Sequence, residues 1–351
     1  MLIHAKKSTL MLVVGLAMLA GVYLGVFAGN VEPSGPPAPT MKTLDQVEPR
    51  IPINTADLPL TITEPGSYYL TEEIDTPGGG ITIVASDVTI DLKGFSLSGG
   101  TNDGIFVSGP RENITVKNGV VRGWGLTGVN LASATSSQVS HIRATSNLGT
   151  GIQVGQNGTS SDCIAMNNTG VGISMSDRST LSDCVATSNG GNGIEAGSAC
   201  VIRSCTAVSN AAHGISAMFG NEIVGCTARL NSLDGINVDT NSSIRECTTV
   251  QNENDGIEVN ARCLVVNNNS GLHGQGASDG AGIHATTFSN RIEGNTVTNN
   301  DRGIDVDFAG NLIIRNSASG NTIDYDIVAG NDIGSIVLTP IGAGAWDNFR
   351  F

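Results

Sequence analysis

Aromatic residues make up only 4% of this 351-residue chain, Lys and Arg number 18 against 32 Asp and Glu, and charged residues of both signs together reach 14%. The shortage of basic residues, with a net charge of −14, argues against nucleic acid as a partner, because that binding rests on basic surface. It leaves a soluble exported protein, or one that collects cations. So few aromatics disfavour a groove that holds sugars by ring stacking. Leucine is scarce, and the body of the chain has no segment offering three helical turns of apolar periodicity. That excludes helical solenoids and fits leucine-rich repeats badly. No lipobox cysteine follows the N-terminal apolar run, so nothing points to a lipoprotein.

Glycine, by contrast, is abundant at 46 residues, and it is periodic. Gly151-Ile152, Gly172-Ile173, Gly193-Ile194, Gly214-Ile215, Gly235-Ile236 and Gly256-Ile257 follow one another at a constant 21-residue interval. Cys163, Cys184, Cys205, Cys226 and Cys247 each stand eleven residues after such an isoleucine, and Asn147, Asn168, Asn189, Asn210, Asn231 and Asn252 each stand five before one. A position that keeps one residue type through successive repeats is an inward, stacked one. Within a repeat, Ile194-Glu195-Ala196 and Ile257-Glu258-Val259 alternate in and out with the period of a strand. Short strands with Gly and Asn at the corners describe one coil of a parallel β-helix, in which coils stack about 4.8 Å apart. Inward Asn amides can then bond up and down the stack. Glycine before each isoleucine suits a corner that needs either positive φ or very close packing.

The period loosens to 24-residue steps at Ile81, Ile105 and Val129, and Ile257 to Ile283 is a single 26-residue step. The expected fold is all-β, a parallel β-helix of about a dozen coils over residues 81–335. Residues 55–80 and 336–351 are expected to cap its ends, the latter through Trp346 and Phe349, since an open end exposes apolar surface and strand edges. Residues 1–29 carry Lys6 and Lys7 before an uncharged apolar stretch at 9–28. That pattern reads as a secretory signal or a single transmembrane helix. Residues 30–54, rich in Pro and Gly, read as a linker that holds the rod off the membrane. Five stacked cysteines in parallel orient poorly for bridging, so they read as small hydrophobes filling a narrow core. Cys200 and Cys263 share a second phase, three coils apart.

Chemistry is sought on the outward positions. Glu195, Ser216, Asn237, Glu258, His284 and Asp305 each follow a repeat isoleucine, while His213, Asp234 and Asp255 stand two before one and Asp239 and Asp307 three after. Asp234, Asp239, Asp255, Glu258, Asp305 and Asp307 therefore share one face, and an oxygen-rich set of this kind suits calcium. Such an ion would raise the melting temperature through those carboxylates. The insertion at 271–276 is expected to project beside this patch, with His273 and His284 as the histidines placed to act as general bases near it. Arg203 and Arg245 share a further outward phase that could meet an acidic sugar.

The recurring Asn-x-x-x-Gly-Ile with its Cys and Asn ladders resembles the right-handed parallel β-helix repeats of the pectate-lyase-like superfamily. The stretches Ile62-Thr63-Glu64-Pro65-Gly66-Ser67-Tyr68-Tyr69-Leu70, Val88-Thr89-Ile90-Asp91-Leu92-Lys93-Gly94-Phe95 and Ile114-Thr115-Val116-Lys117-Asn118-Gly119-Val120-Val121-Arg122-Gly123-Trp124 resemble the start of exported bacterial β-helix proteins. The resemblance covers about residues 55–340. It implies a right-handed coil and a range of activities, among them pectate lyases, polygalacturonases, mannuronan epimerases and accessory proteins of nitrous oxide reductase maturation. Leu272-His273-Gly274 echoes the Gly-His-Gly of the polygalacturonases, but their Asp-Asp pair is absent and no Lys stands near the patch, as a lyase would require. Three readings follow: an anchored or secreted structural or carbohydrate-interaction module; a lyase, hydrolase or epimerase of an acidic glycan using Glu258, His284 and Asp305; and a periplasmic metal-handling accessory protein.

Overall fold

The computed structural model describes residues 50–274 and 280–351. Each 21-residue repeat folds as one coil with three short strands, as in Ile194–Ala196, Val201–Arg203 and Thr206–Val208. The first strand of every coil joins a continuous parallel sheet of 13 strands, running from Leu60–Ile62 to Ile323–Ile327. The other two belong to a 26-stranded sheet. The nine-residue strand Ile114–Arg122 spans both of its faces, pairing with Val88–Asp91 and Ser96–Gly99. The coil count is therefore 13, close to the dozen expected.

Register follows the isoleucines. Ile173 lies opposite Ile194, and the column continues through Ile215, Ile236, Ile257, Ile283 and Ile304. Every member is fully buried. The 26-residue step thus adds chain without slipping the pairing. A one-residue slip would turn the whole apolar set outward.

The corners explain the other periodic residues. Asp183 and Ser204 adopt φ of 56° and 52° just before Cys184 and Cys205, and Ser188 and Ser209 adopt 56° and 55° just before Asn189 and Asn210. The left-handed residue turns the chain, and the residue after it points inward. The glycine before each isoleucine serves close packing instead. A Cβ on Gly172 would lie 2.5 Å from the Gly193 carbonyl oxygen and 2.6 Å from the Asn189 amide nitrogen.

Each ladder asparagine then satisfies a corner. Asn189 Oδ1 accepts from the Asn168 backbone N–H at 3.1 Å and from Asn168 Nδ2 at 3.0 Å, while Asn189 Nδ2 donates to the Ala165 carbonyl at 3.1 Å. Buried corner N–H groups need such partners, since an unmet one costs about 1–3 kcal/mol. All seven cysteines are free and buried. Cys184 Sγ accepts from Cys163 N at 3.3 Å, and after Cys247 the same corner passes to Asn268, Asn295, Asn316 and Asn348. Cys200 and Cys263 occupy the third corner beside Asn221 and Asn290, and burial pushes both thiols up.

At the N-terminal end, Leu60–Ile62 and Gly66–Leu70 pair in register with the coils that follow, and Arg50–Ile53 lies outermost on Gly66–Leu70. At the other end Asn348–Arg350 pairs with Ser317–Ser319, and Tyr325 Oη donates to the Phe349 carbonyl at 2.8 Å. Trp346 remains half-exposed beneath the Arg315 guanidinium, 4.4 Å from its ring centre. The hydrophobic helix expected within residues 1–29 lies outside the described residues. Among those described, the only helix is the short 3₁₀ turn Thr55–Asp57, and no helix is long and apolar enough to cross a membrane.

Candidate functional site

Because side chains alternate along each strand of the 13-stranded sheet, the residue after each isoleucine points out, and pairing stacks these residues into a column. Ser174, Glu195, Ser216, Asn237, Glu258, His284, Asp305 and Asp326 follow one another coil by coil. Over the regular coils this column floors a groove of about 650 Å³. Asp177, Met218, Asp239 and Asn192 line its sides.

Toward the C-terminal end the column enters a cluster of charges. The half-buried His284 lies between two carboxylates, Nδ1 at 2.9 Å from Asp255 Oδ2 and Nε2 at 3.1 Å from Asp307 Oδ2. Asp255 is buried, and its other oxygen accepts from the Ala281 backbone N–H at 2.6 Å. Burial alone would lower the His284 pKa. The bond and charge of Asp255, joined by Asp307 and Asp305, outweigh it and raise the group to about 10. At neutral pH His284 is therefore an imidazolium that donates through both nitrogens. Burial pushes Asp305 up to about 6 against the pull of His284 and Arg302. Arg302 in turn bridges Asp305 Oδ2 at 3.3 Å and Asp326 Oδ2 at 2.8 Å. Glu258 is raised by burial and then by the charges of Asp234 and Asp255.

The structure thus brings Asp255, Glu258, His284, Asp305 and Asp307 together. Asp234 is buried beside them, but its oxygens are taken. His213 Nδ1 lies 3.1 Å away, and the Asn237 and Asn254 amides donate at 2.9 and 2.6 Å. Asp239 stands apart on the groove wall, accepting from Asn260 Nδ2 at 3.0 Å. Arg302 and Asp326 were missed, although both carried a signal. Arg302 stands two residues before Ile304, the phase of Asp234 and Asp255, and Asp326 follows Asp305 by one 21-residue period.

One expectation is corrected. His273 is not an outward base beside the patch but a fully buried member of the asparagine ladder. Its Nδ1 accepts from Asn252 N at 3.1 Å, its Nε2 lies 3.1 Å from the Thr249 carbonyl, and its own N–H donates to Asn300 Oδ1 at 3.0 Å. A neutral imidazole offers one acceptor and one donor, as an amide does. Burial pushes its pKa down to about 4, so the ring stays neutral. Arg203 and Arg245 both pair with Glu222 on another face. At the insertion, the described residues stop at Gly274 and resume at Gly280. Gly274 and Gly280 nearly touch, since a Cβ on Gly274 would lie 2.5 Å from Gly280 N. Residues 275–279 of that insertion lie outside the described residues.

Ligand atoms of Asp255, Glu258 and His284 lie within 4.8 Å of one another, as do those of His284, Asp305 and Asp307. Calcium takes oxygen ligands, whereas here an imidazolium sits at the centre of both groups and supplies the positive charge itself. A mixed nitrogen and oxygen set suits a first-row transition ion once the imidazole has lost its proton, which ties any such binding to pH.

A sequence profile described as a right handed beta helix region matches residues 74–200 and 194–323. No curated protein matches the sequence. Among solved structures, the A-module of the mannuronan C-5 epimerase AlgE6 of Azotobacter vinelandii superposes with a TM-score of 0.52 at 14% identity, covering 81% of this chain and 89% of that one. The A-module of AlgE4 from the same organism gives 0.50 at 16% identity, covering 77% and 91%. At these identities the likeness is one of fold.

Proposed function

The chain belongs to the right-handed β-helix family, and from that premise we propose that it is an exported module that interacts with carbohydrate along the groove over its 13-stranded sheet. The observation that carries this reading is the unbroken outward column of Ser174, Glu195, Ser216, Asn237 and Glu258 on the groove floor. These hydroxyl, amide and carboxylate groups recur once per coil, about every 4.8 Å. That repeat is close to the advance of one sugar in an extended chain, so successive sugars would meet equivalent polar groups. The epimerases that share the fold are named for action on mannuronan, which agrees with a glycan partner here. Export rests on the composition of residues 1–29, with 9–28 as signal or anchor and 30–54 as linker. Retention on an array of polysaccharides, lost in Ser216→Trp, which would fill the groove floor, tests the reading. Undiminished retention by that variant would move the binding surface elsewhere.

Catalysis is a second reading, favoured by the pairing of His284 with Asp255 beside the raised carboxyls of Glu258 and Asp305. Such a set can hold and pass a proton at neutral pH. Product release from a polysaccharide that disappears in His284→Gln while retention persists would establish it. Retention without product in the wild type would leave a binding module.

A further inference from the structure

The groove holds four carboxylates, those of Asp177, Glu195, Asp239 and Glu258, and its lining holds no Lys, Arg or His. Elsewhere several carboxylates pair with arginines. Glu222 meets Arg203 and Arg245, Glu293 meets Arg291 and Arg315, and Asp305 and Asp326 share Arg302. In the groove Asp177, Glu195 and Asp239 meet only neutral hydrogen-bond donors, while Glu258, at the end nearest His284, feels that ring's positive charge. Asp177 accepts from Ser198 N at 2.9 Å, Glu195 from Asn192 Nδ2 at 3.1 Å and Asp239 from Asn260 Nδ2 at 3.0 Å. The basic side chain at the rim, Arg178, turns to Asn157 and Gln156 at 3.0 and 3.2 Å. At the far end His284 is already shared by Asp255 and Asp307. The excess negative charge is felt within the site, since the charges of Asp234 and Asp255 help to raise Glu258.

A polyuronate laid in this groove would bring like charge against like, at a cost that a low-dielectric surface enlarges. A neutral sugar would leave the repulsion standing, while an ammonium group on the sugar relieves it. Resting on the glycan reading above, we infer that the groove selects a glycan carrying free amines, an amino-sugar polymer that is at least partly unacetylated. Glu195 and Glu258 lie three coils apart, roughly 14 Å, so the two would meet amines three sugars apart along an extended chain.

The test is calorimetric titration of the full chain with three hexamers: β-1,4-linked glucosamine, its fully N-acetylated counterpart, and oligomannuronate with and without calcium. The glucosamine hexamer should bind roughly tenfold tighter than the acetylated one, and the difference should shrink as salt is raised. The double variant Glu195→Gln with Glu258→Gln should lose that tenfold preference and bind the two hexamers alike. Glu112→Gln, an exposed carboxylate outside the groove, should change nothing, which separates the groove from the acidic surface at large. Equal binding of the two amino-sugar hexamers, tighter binding of oligomannuronate, or a glucosamine preference that survives the double variant would each overturn the inference and leave the glycan reading standing. No binding of any hexamer, with none on the polysaccharide array, would remove both.

Discussion

The regular coils between Ile152 and Ile257 keep the 21-residue repeat, and the single coil between Ile257 and Ile283 is a 26-residue one. Inside the rod the difference leaves no trace. Ile257 still faces Ile283, Asn268 Nδ2 donates to Asn295 Oδ1 at 3.0 Å, and His273 holds the place an asparagine holds elsewhere. Outside, the regular coils carry Asp177, Glu195, Ser216, Asn237 and Asp239, whereas the coils around the long step gather Asp255, Glu258, Asp305 and Asp307 around His284. Inward positions are held by stacking on both sides, so the pairing of Ile257 with Ile283 survives the longer step. The rod keeps its register within even where the residues at its corners change.

That contrast is most severely tested in the core. Ile215→Ala, in a regular coil, should destabilise by about 2–5 kcal/mol, the range for emptying a packed aliphatic site. Ile283→Ala should cost as much, because its strand also pairs in register on both sides. Denaturant melts of the two variants compare the regions directly. A much smaller loss at Ile283 would show that the core loosens at the long step.

The ladder offers a finer comparison. His273→Ala removes the acceptor for the Asn252 N–H and should cost about 1–3 kcal/mol. His273→Asn restores an acceptor and a donor, and should recover most of that loss. If Asn is no better than Ala in thermal melts, then ring volume rather than hydrogen bonding keeps histidine there.

How far these features were legible follows from what periodicity can carry. The isoleucine, cysteine and asparagine columns repeat at one interval, and an inward position with identical neighbours above and below leaves residue identity little freedom. The coil, its register and the buried thiols were therefore readable. His273 was readable too, since it stands one 21-residue period after Asn252. The isoleucine spacing places the insertion only somewhere between Ile257 and Ile283, and a Gly-flanked histidine in that interval looks like loop. The charge cluster was half readable. Phase puts Glu258, His284 and Asp305 on one face, but the burial of Asp234 and Asp255 depends on what the next coil lays over them. So do the bonds of the Asn254 amide to Asp234 and of the Ala281 N–H to Asp255. Those contacts are lateral, and no single repeat contains them.

The smallest expected effect separates the two regions by pH. Beside the long step, His284 is held near 10 by Asp255 and Asp307 against the effect of burial. Its ordinary value is about 6.5. Because the folded value is the higher one, the stabilisation it contributes is fully present below about pH 6.5 and is lost as pH rises through about 10. The melting temperature of His284→Gln should therefore fall furthest below the wild type near pH 6. The gap should narrow steadily toward pH 10, by a few degrees at most for a partly solvated pair. The difference between the two proteins is the informative quantity, since other groups titrate in both. A gap that stays constant from pH 6 to 10 would mean that the imidazole is neutral in the folded rod. The carboxylates of Asp255 and Asp307 would then lack their countercharge, and a cation from solution would become the natural occupant of the place between them.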